Sequence, residues 1–191
     1  WNKDNSALFY ELDGKQFLRT GDLGFLYQEE LFVHGRLKEM LIIRGKNYFP
    51  YDIEQLVSEV DVSIEPNGVA VFSSNNLEEE FVIVAEIKRT LLKDADTEGI
   101  IHSINQAVIG SFGISPTDII LTTPLGIPRT TSGKLRRTTC KGHYQQNAFN
   151  VIESKLGLSK KALKVKDDSL MLEVIANANY DTIKSYLIDL I

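Results

Sequence analysis

Apolar residues along the chain fall into short runs bounded by turn residues and into longer segments with helical spacing. The short runs predict strands within 17–34 and at 40–43, 69–72, 81–87 and 119–121, with the polar turn 73–76 joining two of them as a hairpin. The helical spacing predicts one helix over roughly 51–60 and another through 100–108 that ends near Gly110 to Gly113. Because these elements do not alternate regularly, we expect an α+β fold with a short antiparallel sheet and flanking helices.

The last part of the chain shows further helical spacing. Apolar residues in 151–156, 170–175 and 180–191 predict a helical extension over 145–191. Nothing near Trp1 resembles a signal peptide, and 185–191 stop inside an apolar pattern without a C-cap. We therefore expect both ends to be cuts within a longer protein.

The composition narrows the class of protein. The 191 residues include 43% hydrophobic and 25% charged residues, as in soluble globular proteins, and the net charge of -5 gives no reason to expect a nucleic-acid partner. The longest apolar runs, such as 40–43, are too short for an integral membrane segment. Cys140 is the single cysteine, which excludes an intramolecular disulfide and favours a reducing compartment, so we expect a cytoplasmic protein.

The segment 122–134 is rich in glycine, proline, serine and threonine and is predicted to be a loop. Gly133 and the hydroxyl residues permit a flexible backbone with local hydrogen bonds, and Lys134 projects a mobile ammonium suited to neutralising phosphate or carboxylate oxygens. The spacing is not that of a P-loop, because Gly-x4-Gly-Lys-Ser/Thr is absent. Taken alone, Ser132-Gly133-Lys134 fits a solvated surface lysine better than a catalytic one.

Two further charged segments are candidates for ligand binding or for motion. In 19–24, two glycines around Asp22 turn the chain sharply and leave its carboxylate at a strand end, where it can accept both hydroxyls of a ribose diol. An Asp-Gly turn that only caps a hairpin explains the same residues equally well. The charged run 35–40 precedes a predicted buried strand and is either a hinge or, by default, a solvated entrance to that strand.

The order of these segments is more informative than any one of them. The segments are, in order, Thr20-Gly21-Asp22, Gly35-Arg36, Arg44-Gly45 and Pro128 to Lys134. This order resembles the end of the adenylate-forming superfamily, which includes acyl-CoA synthetases, nonribosomal-peptide adenylation domains and luciferases, and the match covers about residues 9 to 144. Within the superfamily, the run 44–54 looks most like fatty acyl-AMP ligases.

The resemblance implies three parts in the chain. Residues 1–37 would be the β-rich, nucleotide-contacting end of a large N-terminal domain, and 38–144 a mobile C-terminal α+β lid domain. Residues 145–191 would be the helical extension, which either packs on the lid domain or leads into a carrier domain. Asp168-Ser169-Leu170 has the letters of a carrier motif without a convincing surrounding pattern.

The resemblance also implies a role for each candidate residue. Asp22 would bind the ribose hydroxyls of ATP, and Arg36 would support the same nucleotide. Lys134 matches the lysine that bridges the reacting carboxylate and the α-phosphate during adenylation. Lys38 lies where the family has its hinge, and Gly45 matches the glycine that lines the tunnel for the thiol acceptor. No residue of the chain is assigned to a metal, and the Mg²⁺ of ATP is expected to be bound by the missing N-terminal domain.

The implied reaction is ATP-dependent activation of a fatty acid as an acyl-adenylate, with release of pyrophosphate. The acyl group would then pass to the phosphopantetheine thiol of an acyl carrier protein. Ile42 stands where many CoA ligases have lysine, which is slight evidence against CoA. The alternatives are an acyl-CoA synthetase that uses CoA, or a non-catalytic domain that docks carrier proteins. The chain alone is expected to be inactive.

Overall fold

The computed structural model describes residues 9–74 and 80–157 of the chain. The strands are β1 Phe9–Leu12, β2 Lys15–Leu18, β3 Asp22–Tyr27, β4 Glu30–Arg36, β5 Leu41–Ile43, β6 Lys46–Tyr48, β7 Ile64–Ser73, β8 Phe81–Ile87, β9 Asp118–Thr122 and β10 Val151–Ser154. The helices are α1 Pro50–Ser58, α2 Thr97–Phe112 and α3 Arg137–Gln145, and a 3₁₀ turn spans Leu37–Glu39. The α+β class predicted from the sequence is confirmed.

The strands before residue 38 form two antiparallel hairpins with two-residue turns. Asp13 and Gly14 join β1 to β2, and Gln28 and Glu29 join β3 to β4, all four with positive φ. Such turns match the right-handed twist of paired strands. The β-rich segment predicted for this part of the chain is therefore present.

The main sheet has four strands in the order β10-β9-β8-β7. β7 and β8 pair antiparallel, with Ser73 opposite Phe81 at the hairpin end, as the sequence predicted. β8 and β9 run parallel, so this pair departs from the antiparallel arrangement that we expected. Parallel neighbours need a crossover connection, and α2 supplies it between β8 and β9.

Both faces of this sheet are covered. One face, with α1 and α2, contains Ile53, Val57, Val69, Val71, Ile83, Ala85, Ile104, Val108, Ile119 and Leu121. The other face, with α3 and the loops around it, contains Ala70, Phe72, Val82, Val84, Ile120, Ile127, Cys140, Phe149 and Val151. Because β8 lies between the two layers, it is buried along its whole length, and this explains why its sequence is a nearly continuous apolar run.

α1 and α2 lie where the sequence predicted them, and their ends follow from local chemistry. α1 begins at Pro50, whose fixed φ suits the start of a helix. α2 begins after Asp96, which accepts a hydrogen bond from the amide of Gly99 at 3.1 Å, and ends at Gly113 with a left-handed φ of 70°. α3 was not predicted, because its sequence is polar and only Cys140 in it is buried. Within the described ranges, no helix is long and apolar enough to span a membrane.

The helix predicted within 151–156 is wrong. Val151–Ser154 is β10, which pairs antiparallel with β9 at the edge of the sheet. The β-branched pair Val151 and Ile152 favours a strand, and β9 supplies the hydrogen-bonding partner. A short apolar run does not distinguish the two structures by periodicity alone. The apolar segments at 170–175 and 180–191, also assigned to the extension, lie outside the described residues.

Cys140 offers a test of the packing between α3 and the sheet. Burial raises the pKa of its thiol to about 11, against the opposing charge of Arg137. Because the thiolate is the reactive form, we expect alkylation by iodoacetamide at pH 8 to be at least about a hundredfold slower in the folded chain than in urea. Mass spectrometry of the alkylated fraction over time measures both rates. Similar rates in the two conditions would contradict the buried position of this side chain.

Candidate functional site

An open cleft of about 1180 Å³ lies between the β3–β4 hairpin, α1 and the loop that follows β9. Asp22 and Arg36 line it from the hairpin, and Lys134 lines it from the loop. Three of the five residues singled out in the sequence therefore surround one cavity. The other two, Lys38 and Gly45, are not among the described residues that line it.

Asp22 and Arg36 stand opposite each other where β3 begins and β4 ends. The Nε of Arg36 is 3.2 Å from Oδ1 of Asp22, and the two side chains are 66% and 36% exposed. The hydroxyl of Thr20 accepts a hydrogen bond from the amide of Asp22 at 3.1 Å. Exposed ion pairs contribute at most about 1 kcal/mol, so a ligand can replace either partner at small cost.

Lys134 projects from a turn that its own backbone hydrogen bonds hold together. The amide of Thr130 donates to the carbonyl of Lys134 at 2.8 Å, and the amide of Gly133 donates to the carbonyl of Thr130 at 2.9 Å. The amide of Lys134 donates to the hydroxyl of Thr130 at 3.0 Å. Gly133 has a φ of +83°, which glycine adopts without strain. The segment is thus a turn with local hydrogen bonds, as we expected, and it presents an exposed ammonium.

An ion pair with a buried carboxylate anchors this loop ahead of Lys134. The guanidinium of Arg129 donates to Oε2 of Glu86 at 2.9 Å and to the carbonyl of Asn67 at 3.0 Å. The other oxygen of Glu86 accepts from the amide of Ile127 at 2.8 Å. The side chain of Glu86 is only 2% exposed. Both oxygens of this carboxylate therefore tie the loop to the central strand β8.

A second ion pair anchors the chain after Lys134. Arg137, the first residue of α3, donates through Nε and Nη2 to the two oxygens of Glu54 in α1, at 2.8 and 2.6 Å. Its Nη1 donates to Glu39 at 2.5 Å, and Glu54 also accepts from the amide of Val71 at 3.0 Å. Burial disfavours the charged guanidinium, but the hydrogen bonds and charges of Glu54 and Glu39 outweigh it and raise the pKa of Arg137. Arg137 is therefore charged and held by two carboxylates.

Lys38 lies exposed within the 3₁₀ turn, and contacts join the segments on either side of it. The ring of His34 in β4 meets that of Phe49 edge-on, with 4.0 Å between centroids. Its Nε2 is 3.7 Å from a carboxylate oxygen of Asp52 in α1. These contacts place β4 against the start of α1. The hinge role of Lys38 stays a prediction.

Gly45 forms the two-residue turn between β5 and β6 together with Arg44. The two residues have φ values of 72° and 50°, the left-handed values that such a turn requires. Among the described residues, and apart from its chain neighbours, no atom lies within 4 Å of where a Cβ on Gly45 would stand. The turn conformation accounts for glycine here, and the tunnel role of Gly45 stays a prediction.

The groups around the cleft fit a nucleoside phosphate better than a metal ion. The cations of Arg36 and Lys134 suit phosphate oxygens, and the carboxylate of Asp22 suits hydroxyl groups. In residues 9–74 and 80–157, no group of three or more His, Cys, Asp or Glu side chains is placed to hold a metal ion.

Sequence reasoning did not identify the carboxylates that anchor the loop. Glu86 is the one charge in the apolar run 81–87, where an unpaired carboxylate would cost on the order of several kcal/mol, so a buried partner was predictable. Its identity was not, because Arg129 lies 43 positions further along the chain. The partner of Glu54 is Arg137, which lies 83 positions away, so its identity was not predictable either.

The fold matches part of solved adenylate-forming enzymes. Residues 38–154 match the Disco-interacting protein 2-like AMP domain, and the chain belongs to this family. A solved structure from studies of fatty acyl-adenylate ligases of E. coli and L. pneumophila is 34% identical, with a TM-score of 0.57 over 69% of this chain and 22% of that chain.

Two relatives carry the names of fatty-acid ligases. The medium-chain-fatty-acid–[acyl-carrier-protein] ligase JamA of Moorena producens (strain JHB) is 33% identical over 147 residues, which are 76% of this chain and 25% of that protein. The putative fatty-acid–CoA ligase fadD21 of Mycobacterium leprae (strain TN) is 39% identical over 142 residues, which are 72% of this chain and 24% of that protein. The chain thus spans about a quarter of the length of these relatives.

Proposed function

We propose that the chain is the C-terminal part of an ATP-dependent ligase that activates a fatty acid as an acyl-adenylate and releases pyrophosphate. The observation that carries the proposal is the meeting of Asp22, Arg36 and Lys134 around one cleft. Their chemical types match the hydroxyl groups and phosphate oxygens of ATP. The names of the relatives supply the fatty acid as substrate.

Lys134 is assigned to the adenylation step. A carboxylate oxygen of the fatty acid attacks the α-phosphorus of ATP, and the bond from that phosphorus to the pyrophosphate oxygen breaks. The reaction brings two anions together and builds negative charge on the phosphoryl oxygens. An ammonium between them lowers the energy of the transition state more than that of the ground state. The hydrogen bonds of the turn 130–134, which hold the backbone of Lys134, support this assignment.

Asp22 and Arg36 are assigned to the nucleotide. The carboxylate of Asp22 accepts both hydroxyls of the ribose, and Arg36 then turns from Asp22 towards the same ligand. The exposure of this ion pair supports the exchange, because little stability is lost when it opens.

The division of the chain at residue 38 is part of the proposal. Large apolar side chains are exposed on the two N-terminal hairpins, among them Phe9, Leu12, Leu18, Phe25, Leu26, Leu31 and Val33. An exposed apolar surface of this kind marks an interface, which supports the assignment of 1–37 to a larger domain. Rotation at Lys38 would move 38–144 over that domain, which would also hold the Mg²⁺ and the acyl chain.

We assign the acceptor as the phosphopantetheine thiol of an acyl carrier protein, with CoA as the alternative. The name of the JamA relative supports the carrier, whereas that of the fadD21 relative supports CoA. Ile42 lies in β5 between two buried residues and is itself half-buried, so it offers no cation to a phosphate of CoA. The single cysteine fits a reaction in the cytoplasm.

The proposal is tested with the full-length enzyme, ATP, Mg²⁺ and medium- or long-chain fatty acids, with either CoA or a phosphopantetheinylated carrier protein. We expect fatty-acid-dependent release of pyrophosphate, acyl-adenylate accumulation with CoA, and acyl-carrier formation with the carrier protein. Acyl-CoA formation would overturn the acceptor assignment alone. Binding of the carrier protein without any release of pyrophosphate would favour the alternative, a non-catalytic domain that docks carrier proteins.

A further inference from the structure

We infer that Arg137 is a positioning residue, which fixes the turn that carries Lys134 to the turn that carries Lys38. It does so by holding Glu39 and Glu54 at the same time. The inference rests on the proposed function, because it names the residues that orient Lys134 during adenylation.

The geometry of Arg137 places it between the two turns. Only two residues separate it from Lys134, so a displacement of its backbone moves the lysine as well. On its other side, its Nη1 holds Glu39, which follows Lys38 directly. The contacts to Glu54 seat the same guanidinium on α1. The guanidinium of Arg137 thus connects the 3₁₀ turn Leu37–Glu39, helix α1 and the start of α3.

The two carboxylates have different roles. Glu54 is buried and contacts Arg137 through both oxygens, so this pair belongs to the packed interior of the domain. The side chain of Glu39 is 36% exposed. An ion pair exposed to this degree contributes little to folding, typically about 1 kcal/mol or less. The contact with Glu39 is therefore explained better by orientation than by stability.

Orientation has a large effect on a reaction that depends on one cation. A misplacement of about 1 Å costs on the order of a hundredfold in rate where reacting groups must meet. Arg129 and Glu86 hold the loop on the side before Lys134. If the side after it loosens, the turn can tilt about that fixed point. The planar fork of arginine contacts Glu54 through two nitrogens and Glu39 through the third, a geometry that the ammonium of a lysine at position 137 does not reproduce.

The test compares Glu39→Gln with the wild type in the full-length enzyme. The substitution keeps the size of the side chain and removes the charge that binds Arg137. We expect the kcat of adenylation to fall about tenfold or more, with KM for ATP and fatty acid changed less than about threefold. Transfer from preformed acyl-adenylate to the thiol is expected to keep its rate, and the melting temperature to stay within about 2 °C.

Hydrogen exchange supplies a readout that does not need activity. The amides of Thr130, Gly133 and Lys134 are hydrogen-bonded within the turn, and we expect them to exchange faster in Glu39→Gln. Glu98→Gln is the matched control, since Glu98 is exposed in the first turn of α2. Arg137→Lys is the second variant, and it is expected to lower adenylation in the same way while retaining a positive charge.

The outcomes separate the inference from the proposed function. A wild-type enzyme that releases no pyrophosphate with any fatty acid refutes the function, while exchange at 130–134 still decides whether Glu39 holds the turn. Unchanged exchange or unchanged adenylation in Glu39→Gln overturns the inference. So does an equal loss in both half-reactions together with a lower melting temperature, because that pattern belongs to a structural residue.

Discussion

Replacing Lys134 by alanine in the full-length enzyme is expected to lower acyl-adenylate formation by at least about a hundredfold. We propose this ammonium as the group that neutralises charge when the fatty carboxylate meets the α-phosphate. In the proposed function, ATP keeps its contacts with Asp22 and Arg36 in the ground state, so we expect its dissociation constant to change less than about threefold. Pyrophosphate release at saturating substrates measures the first effect, and equilibrium binding of ATP measures the second.

Lys93→Ala is the matched control for this substitution, because Lys93 is also an exposed lysine but does not line the cleft. It is expected to behave as the wild type. Near-normal pyrophosphate release from Lys134→Ala would refute the catalytic assignment. A loss of ATP affinity as large as the loss of rate would instead make Lys134 a residue that binds the ground state.

The fold could be predicted from the sequence wherever a segment is long or chemically distinctive. α2 has 16 residues, a capping aspartate and a terminal glycine, and the predicted end of the helix agrees with the structure. The four residues of β10 have none of these features, and its strand conformation depends on pairing with β9. The parallel pairing of β8 with β9 is likewise a tertiary property that neither strand reveals alone.

The candidate site divides in the same way. Lys134, Asp22 and Arg36 could be proposed because a family resemblance links their short motifs, and the structure brings them to one cleft. The ion pairs that hold the loop could not be predicted, since the two partners of each pair lie far apart in the sequence and meet only in the folded chain. The ion pair of Asp22 with Arg36 is exposed, whereas the pairs that hold the loop contain the buried carboxylates of Glu86 and Glu54. The residues proposed for the chemistry can therefore be identified from the sequence, whereas the ion pairs that hold their loop can be identified only from the structure.

Glu86→Ala is expected to lower the free energy of unfolding of the chain by about 1–3 kcal/mol, the usual cost of leaving a buried hydrogen-bonding group without its partner. The substitution leaves the guanidinium of Arg129 without its carboxylate, and the buried amide of Ile127 without its acceptor. Urea unfolding followed by circular dichroism measures the change.

Two companion variants locate the cause of that loss. Glu86→Gln keeps an oxygen for the amide of Ile127 but removes the charge facing Arg129, so its cost is expected to lie between those of the wild type and alanine. Glu98→Ala removes an exposed carboxylate from the first turn of α2 and is expected to cost less than about 1 kcal/mol. If Glu86→Ala costs no more than Glu98→Ala, the pair with Arg129 does not anchor the loop, and the ordered presentation of Lys134 must come from the turn 130–134 alone.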